Sequence, residues 1–371
     1  MNIAVIIPKS ECSERISNVL EEVEKQLYKK TYNRMGNIEQ ADIELEYIYG
    51  LDTIRREICK SRLQNRRVLF AISFNEQGIN VEYYLMLEIL RQNRDALKGS
   101  VCGMFIDGKS EFYTKASARE LSFAISEAGA YQVGKSLVEG TGSLYNQRNT
   151  AENYGVSVYE AYVRNVVELI ERIVKFNNTK YEKPKLLCLH ASEYATSNTV
   201  KLWGMVKNEL EKEVEITELA LRNGEISDCS GCPFHMCMHF SSRGSCYYGG
   251  VMVENVYPAV EQCNALMLLC PNYNDSFSAN IAAFINRLTA LYRRKPFYDK
   301  KLFSIIVSGY SGGDIIAGQL AGSLGMNKSF IIPPYFSMVE TANHPNSVLE
   351  IPDIKNKAEM FAKHIQNHIK F

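Results

Sequence analysis

The 371-residue sequence has no surplus of charge of either sign, since Lys plus Arg and Asp plus Glu stand at 42 each. A balanced chain carries no global basic field to hold nucleic acid or an anionic membrane surface, so a small molecule or a protein is the expected partner. No apolar stretch approaches the roughly 18 residues that cross a bilayer. The opening residues, MNIAVIIPKSE, lack a basic leader, and their short apolar run ending at Pro8 reads as a first strand and not as a signal peptide. A reducing, cytoplasmic location is therefore expected, and there clustered cysteines argue for metal or catalysis over disulfides. Triad and metallohydrolase motifs are also missing, so no residue is expected to act as a nucleophile. Tryptophan occurs once, as Trp203, and like the many tyrosines is expected to serve core or surface packing.

What is present is a repeated alternation of apolar runs and helical patterns, the signature of parallel strands with crossover helices. A chain of this length exceeds one ordinary core, which favours two domains. In the second half the runs are KLLCLHA (185–191), VEITELAL (214–221), ALMLLCPNY (265–273), KLFSIIVSG (301–309) and SFIIPPYF (329–336). The first half offers NIAVIIP (2–8), IELEYIYG (43–50), RRVLFAISF (66–74), GSVCGMFIDG (99–108) and YQVGKSLVEG (131–140). Order and spacing match, which suggests a diverged tandem duplication. The expectation is an α/β chain of two tandem flavodoxin-like, doubly wound domains, 1–178 and 179–371, each with a five-stranded parallel sheet. The join falls near FNNTKYEKPK, after the helical pattern SVYEAYVRNVVELIERIVKF.

Ligands of open α/β sheets bind beyond the carboxyl ends of the strands where strand order reverses. Three loops of the second half qualify. HASEYATSNTVKL (190–202) offers the hydroxyls of Ser192, Thr196, Ser197 and Thr199, with Asn198, at a helix start. Such a set suits a phosphate, although taken by itself the loop is better explained as a plain Ser/Thr cap, and it is the next two loops that favour the ligand. The second loop carries Pro271, Asn272, Tyr273 and Asn274, whose amides and aromatic face suit a heterocycle. The third, Ser308, Gly309, Tyr310, Gly312 and Gly313, has glycines that let backbone approach a flat ligand.

These loops, in this order, resemble those of the flavodoxin-like NADPH-dependent FMN reductases, over residues 184–345. Ser197-Asn198-Thr199 matches the S-N-T of that family's phosphate loop, Pro271-Asn272-Tyr273 its P-x-Y element, Asn286-Arg287 the D-R that closes the following helix, and Ser308 to Gly313 its Gly-rich third loop. The arginine of the family's phosphate loop has no counterpart here. The resemblance implies FMN as cofactor, NAD(P)H as electron donor, and a small acceptor or a redox protein as recipient, in a chain that could form homo-oligomers; the alternatives are a flavin and iron-sulfur electron carrier between proteins, or a zinc-stabilised or ligand-free scaffold. The first-half loops lack both S-N-T and P-x-Y, so a second flavin is not expected there.

The stretch ISDCSGCPFHMCMHFSSRGSC holds Cys229, Cys232, Cys237 and Cys246. Four thiolates in one loop are what a [4Fe–4S] cluster needs, and the resemblance extends through them to the iron-sulfur flavoproteins of the same superfamily. Zinc held by these thiols with His235 or His239, or a loop without metal, are the alternatives. The remaining six, Cys12, Cys59, Cys102, Cys188, Cys263 and Cys270, are expected to be small buried thiols.

Overall fold

The computed structural model describes residues 1–33, 43–192 and 196–371, which divide into two compact units, Met1–Asn177 and Asn178–Phe371. Each alternates strand and helix. The first unit runs β1 (Asn2–Ile7), α1 (Glu14–Asn33), β2 (Glu44–Tyr49), α2 (Leu51–Cys59), β3 (Arg67–Phe74), α3 (Val81–Gln92), β4 (Val101–Gly108), α4 (Thr114–Glu127), β5 (Tyr131–Gly140), α5 (Arg148–Tyr154) and α6 (Val158–Lys175). The second runs β6 (Lys185–His190), α7 (Asn198–Leu210), β7 (Glu215–Ala220), α8 (Phe234–Ser241), α9 (Tyr257–Gln262), β8 (Ala265–Pro271), α10 (Ala279–Arg294), β9 (Lys301–Ser308), α11 (Gly313–Leu320), β10 (Ser337–Thr341) and α12 (Ile354–Ile369).

Both sheets are wholly parallel, in the orders β2-β1-β3-β4-β5 and β10-β9-β8-β6-β7. Counted from the first strand of each unit, these are the same order, 2-1-3-4-5, so the expected doubly wound fold is present twice. The central strands are buried along nearly their whole length, as β3 (RVLFAISF) and β9 (KLFSIIVS) show. Such continuous apolar runs belong to strands covered on both faces by helices. In the second unit Leu202, Trp203 and Val206 of α7 meet Phe361 and Ile365 of α12 over Leu186, Met267 and Phe303 of the sheet. Burying each such side chain contributes about 1.5–3 kcal/mol.

The last strand departs from the sequence pattern. SFIIPPYF does not form a continuous strand: it meets β9 at the bridge of Lys301 with Ile331 and through the Ser304 amide, which donates to the Phe336 carbonyl, and laddered pairing along β9 begins at Ser337. Pro333 and Pro334 have no amide hydrogen to give to a ladder, which displaces the strand beyond them. The six scattered cysteines also divide: Cys102, Cys188, Cys263 and Cys270 are buried, whereas Cys12 is half-buried and Cys59 exposed. Cys12 sits in the turn before α1, and Cys59 is the last residue of α2. Burial pushes the Cys263 thiol up to about 11 and that of Cys270 to about 12, so these groups are inert.

Candidate functional site

The order of the second sheet puts its reversal between β6 and β8, because α7 carries the chain outward to β7 whereas β8 returns on the other side of β6. Register keeps the three strand ends level: His190 pairs with Leu269 and Pro271 with Val307. The three expected loops therefore leave neighbouring strands side by side.

The loop after β6 leads into α7, whose first amides have no intrahelical acceptor. Ser197 caps the helix by accepting from the Val200 amide, and its Oγ lies 3.3 Å from that of Ser192. Both serines are half-buried and Thr196 is exposed, so three hydroxyls remain at the helix start. Residues 193–195 of this loop lie outside the described residues. The other two residues of the expected set are committed to the protein itself. Thr199 is buried, and the Asn198 amide donates to the carbonyls of Ala342 and His344 at 3.1 and 2.8 Å while its Oδ1 accepts from the Val348 amide. Asn198 thus pins the segment after β10 against the loop.

Beyond β8, Asn272 is likewise a tie. Its backbone amide continues the ladder to Val307, and its side chain donates to Ser308 Oγ at 3.2 Å and to the Ser311 carbonyl at 2.9 Å. It therefore locks the loops after β8 and β9 to each other. Pro271 closes the strand, Asn274 and Asp275 take left-handed backbone at φ 52° and 58°, and the turn leaves Tyr273 57% exposed. In the next loop Ser308 and Gly313 are buried, Gly309 and Gly312 half-buried, and Tyr310 stands 81% exposed. Asn343 donates to the Tyr310 hydroxyl at 2.9 Å, which orients the ring without covering it. Two aromatic faces are thus open at the ends of adjacent strands, beside a helix terminus rich in hydroxyls. That combination can take a flat ring at one end and an anion at the other.

The cysteine loop does not take the arrangement a four-thiol site requires. Cys229 is exposed, Cys232, Cys237 and Cys246 are half-buried, and among the described residues no three His, Cys, Asp or Glu side chains converge to hold a metal. The cause is α8, which carries Cys237 on a helix with Cys229 and Cys232 ahead of it, while Cys246 follows the turn through Gly244 that closes the helix. His235 and His239 are exposed on the same helix. Protein groups hold the loop instead. Arg287, itself buried, donates to the Ser227 carbonyl at one neck and to the Gly249 carbonyl at the other, and Asn286 donates to Asp228. Tyr257, whose phenol is raised by burial and by the nearby Cys246, donates to the Arg287 carbonyl.

Asn343 was not among the residues expected at the site, and Asn286-Arg287, expected from the resemblance to close the helix after the ring loop, lie within α10 and clamp the cysteine loop. Asn343 lies in the segment after the last strand, where the displaced β10 obscured the register. The signal for Arg287 was its match, with Asn286, to the D-R of the family, which gave the residue without its partners in the cysteine loop.

Residues 184–344, inside the second unit, match the family model of the NADPH-dependent FMN reductases. No curated protein matches the chain. Among solved structures, an NAD(P)H:quinone oxidoreductase from Methanothermobacter marburgensis is similar at 12% identity and TM-score 0.40, covering 50% of this chain and 96% of its own. An FMN-dependent NADH-azoreductase from Bacillus anthracis, solved with FMN, is similar at 12% identity and TM-score 0.34, covering 49% and 99%. A Streptococcus mutans protein is similar at 14% identity and TM-score 0.38, covering 50% and 100%.

Proposed function

We propose, from the premise that residues 184–344 form an NADPH-dependent FMN reductase region, that the second unit binds one FMN and passes electrons from NAD(P)H to a small acceptor. The observation that carries this reading is the pair of exposed rings, Tyr273 and Tyr310, at the ends of neighbouring strands beside the hydroxyl-lined start of α7.

The residues present fit FMN. A phosphate monoester carries about 1.5–2 negative charges near neutral pH, and an exposed helix terminus alone contributes about 0.3–1 kcal/mol toward it. Ser192, Thr196 and Ser197 add hydroxyl donors at that same terminus, which is what the excess charge requires. Tyr273 and Tyr310 would bound the isoalloxazine, and Gly312, held at φ 85°, presents backbone where a side chain would intrude. Bound FMN supplies hydride acceptance from the nicotinamide and delivery of electrons to the acceptor. The protein binds and orients the ring and the phosphate, and no side chain of the site need become a nucleophile. An iron-sulfur cluster has no part in this reading, because the four thiols as they stand do not fit one.

The test is the absorbance spectrum of the purified chain, with FMN released on denaturation and iron and sulfide assayed on the same sample. One FMN per chain, bleached by NADPH without oxygen, is expected. Protein that takes up no flavin on reconstitution would sink the reading.

A further inference from the structure

In the first unit the loops that correspond to the ring loops of the second keep apolar side chains but leave no room between them and the sheet. Phe112 and Tyr113 follow β4 as Tyr310 follows β9, and Ile79 follows β3 as Tyr273 follows β8. The crevice beside them is occupied, with Arg15 held on Asp107 at 2.7 Å and Glu82 on the Lys9 amide at 2.7 Å. The two rings nonetheless face outward, Phe112 71% and Tyr113 52% exposed. Tyr113 does so in left-handed backbone, at φ 75°, within a three-residue turn in which the Thr114 amide donates to the Phe112 carbonyl. That conformation is costly for an aromatic residue, and such cost is retained where the exposed group has a use.

Helix α3 continues the surface. Its sequence, VEYYLMLEILRQ, is apolar on both sides: Met86, Ile89 and Leu90 are buried, while Val81, Tyr84 and Leu85, at spacings of three and four, are exposed on the outer face, Val81 by 66%. A helix apolar all round is ordinarily covered all round. The Tyr113 ring joins the loop to this helix, since it lies over Gly78 in the turn before α3, where a Cβ would come within 2.4 Å of it.

We propose that this face is the contact between two copies of the chain, packed about a two-fold axis that passes by Tyr84 and Leu85. Three observations favour a second copy as the occupant. Lys plus Arg and Asp plus Glu balance at 42 each, so two copies meet without the net repulsion that keeps charged proteins apart. A two-fold contact uses the same patch twice, and antiparallel α3 helices then bring the exposed Glu88 of one copy opposite the amino end of α3 in the other, where the helix dipole favours an anion. The third is area. Ile79, Val81, Tyr84, Leu85, Phe112 and Tyr113 together leave about 500 Å² open, counting about 150–250 Å² for a whole aromatic side chain, which is high for the largest patch of a lone monomer. Two such faces bury about 1,000 Å², the size at which specific interfaces begin.

The experiment is sedimentation velocity of the full chain across a wide range of protein concentration, for the wild type, Val81→Glu and Leu85→Glu. Tyr28→Glu, at an exposed ring on α1, serves as the control, and FMN content and circular dichroism are measured for each. The wild type is expected as a dimer of the 42.1 kDa chain. Its dissociation constant should rise about a hundred-fold or more in Val81→Glu and in Leu85→Glu and stay at the wild-type value in Tyr28→Glu, with FMN content and circular dichroism unchanged throughout. A wild type that sediments as a monomer at every concentration overturns the proposal and leaves the face to a different protein. So does a dimer that both substitutions leave intact, which would place the contact elsewhere on the chain. Sedimentation does not depend on flavin, so failure of the reductase reading would leave this test standing.

Discussion

The two units share one strand order, and they differ most where that order should create a ligand site. In the first unit the crevice is crossed by the protein's own charges. Glu82, at the start of α3, accepts from the amides of Lys9 and Leu51 at 2.7 and 3.0 Å, placing a carboxylate on the backbone donors that follow β1 and β2. Arg15, at the start of α1, reaches past β3 to grip Asp107 at 2.7 and 2.9 Å and the carbonyls of Gly108, Thr141 and Gly142. Tyr162 donates to the same carboxylate at 2.8 Å, and can do so because residue 140 is glycine, whose place a Cβ would contest at 2.2 Å from the hydroxyl. In the second unit the corresponding ends carry the exposed rings of Tyr273 and Tyr310 and a helix start lined by hydroxyls. One fold thus serves once as a self-filled body and once as an open site. The difference lies in a few polar side chains at strand ends and on the flanking helices, with Asp107 near the end of β4, Arg15 and Glu82 in the first turns of α1 and α3, and Tyr162 on α6.

Removing one partner of the filled crevice should produce the largest effect. Asp107 is 1% exposed, and burial raises its carboxyl despite the opposing pull of Arg15 and Tyr162. Asp107→Ala strands the Arg15 guanidinium among carbonyls, and breaking such a buried pair costs about 3–5 kcal/mol. Urea unfolding of the full chain should show the first transition move to lower denaturant while FMN content stays at the wild-type value. Equal loss of both would mean that the first unit supports the site of the second.

The second unit has its own buried titratable groups, at the amino end of its sheet. His364 and His368 on α12 lie with ring centroids 4.3 Å apart, and His364 bonds the Pro334 carbonyl. Burial lowers both, with Lys301, Lys180 and His364 adding to the effect on His368, which falls to about 3. The folded state therefore binds fewer protons than the unfolded chain below the unfolded value near 6.5. Stability contributed by the neutral imidazoles is complete above that value and is lost as pH falls toward 3. For His368 this costs about 1.4 kcal/mol per pH unit across this window, or roughly 2 kcal/mol between pH 6.5 and 5, and His364 acts in the same direction. His368→Gln should flatten the acid limb of thermal stability, and an unchanged limb would remove this pair as its cause.

The strands and helices were legible because buried parallel strands must be apolar throughout, a signal that survives in RVLFAISF and KLFSIIVS alike. The ring loops were legible for the same kind of reason, since Pro271, Tyr273 and Gly312 are residue types that a bare turn does not require together. What could not be read was the use of each polar group. Asn198 and Asn272 have the chemistry of ligand contacts and spend it on tying loops to one another. The cysteines have the spacing of a site, and α8 intervenes between them. Composition names the atoms available; only packing decides which of them face outward.

The smallest expected stability change gives the sharpest comparison between the units. Gly312 stands at φ 85°, and a Cβ there would lie 2.4 Å from Asp275 Oδ1 and 2.9 Å from Asn272 Nδ2. Gly312→Ala imposes left-handed backbone on a residue that resists it, at about 1–2 kcal/mol, and pushes Asn272 off the Ser311 carbonyl. The bond it breaks joins the two ring loops, so the consequence for the ligand should exceed the consequence for the fold. Flavin affinity, read from the FMN retained through gel filtration, should drop at least ten-fold while unfolding of the first unit is unmoved. Retention of FMN at the wild-type level would show that the loops after β8 and β9 act independently, and would leave Tyr273 and Tyr310 without a common ring to hold.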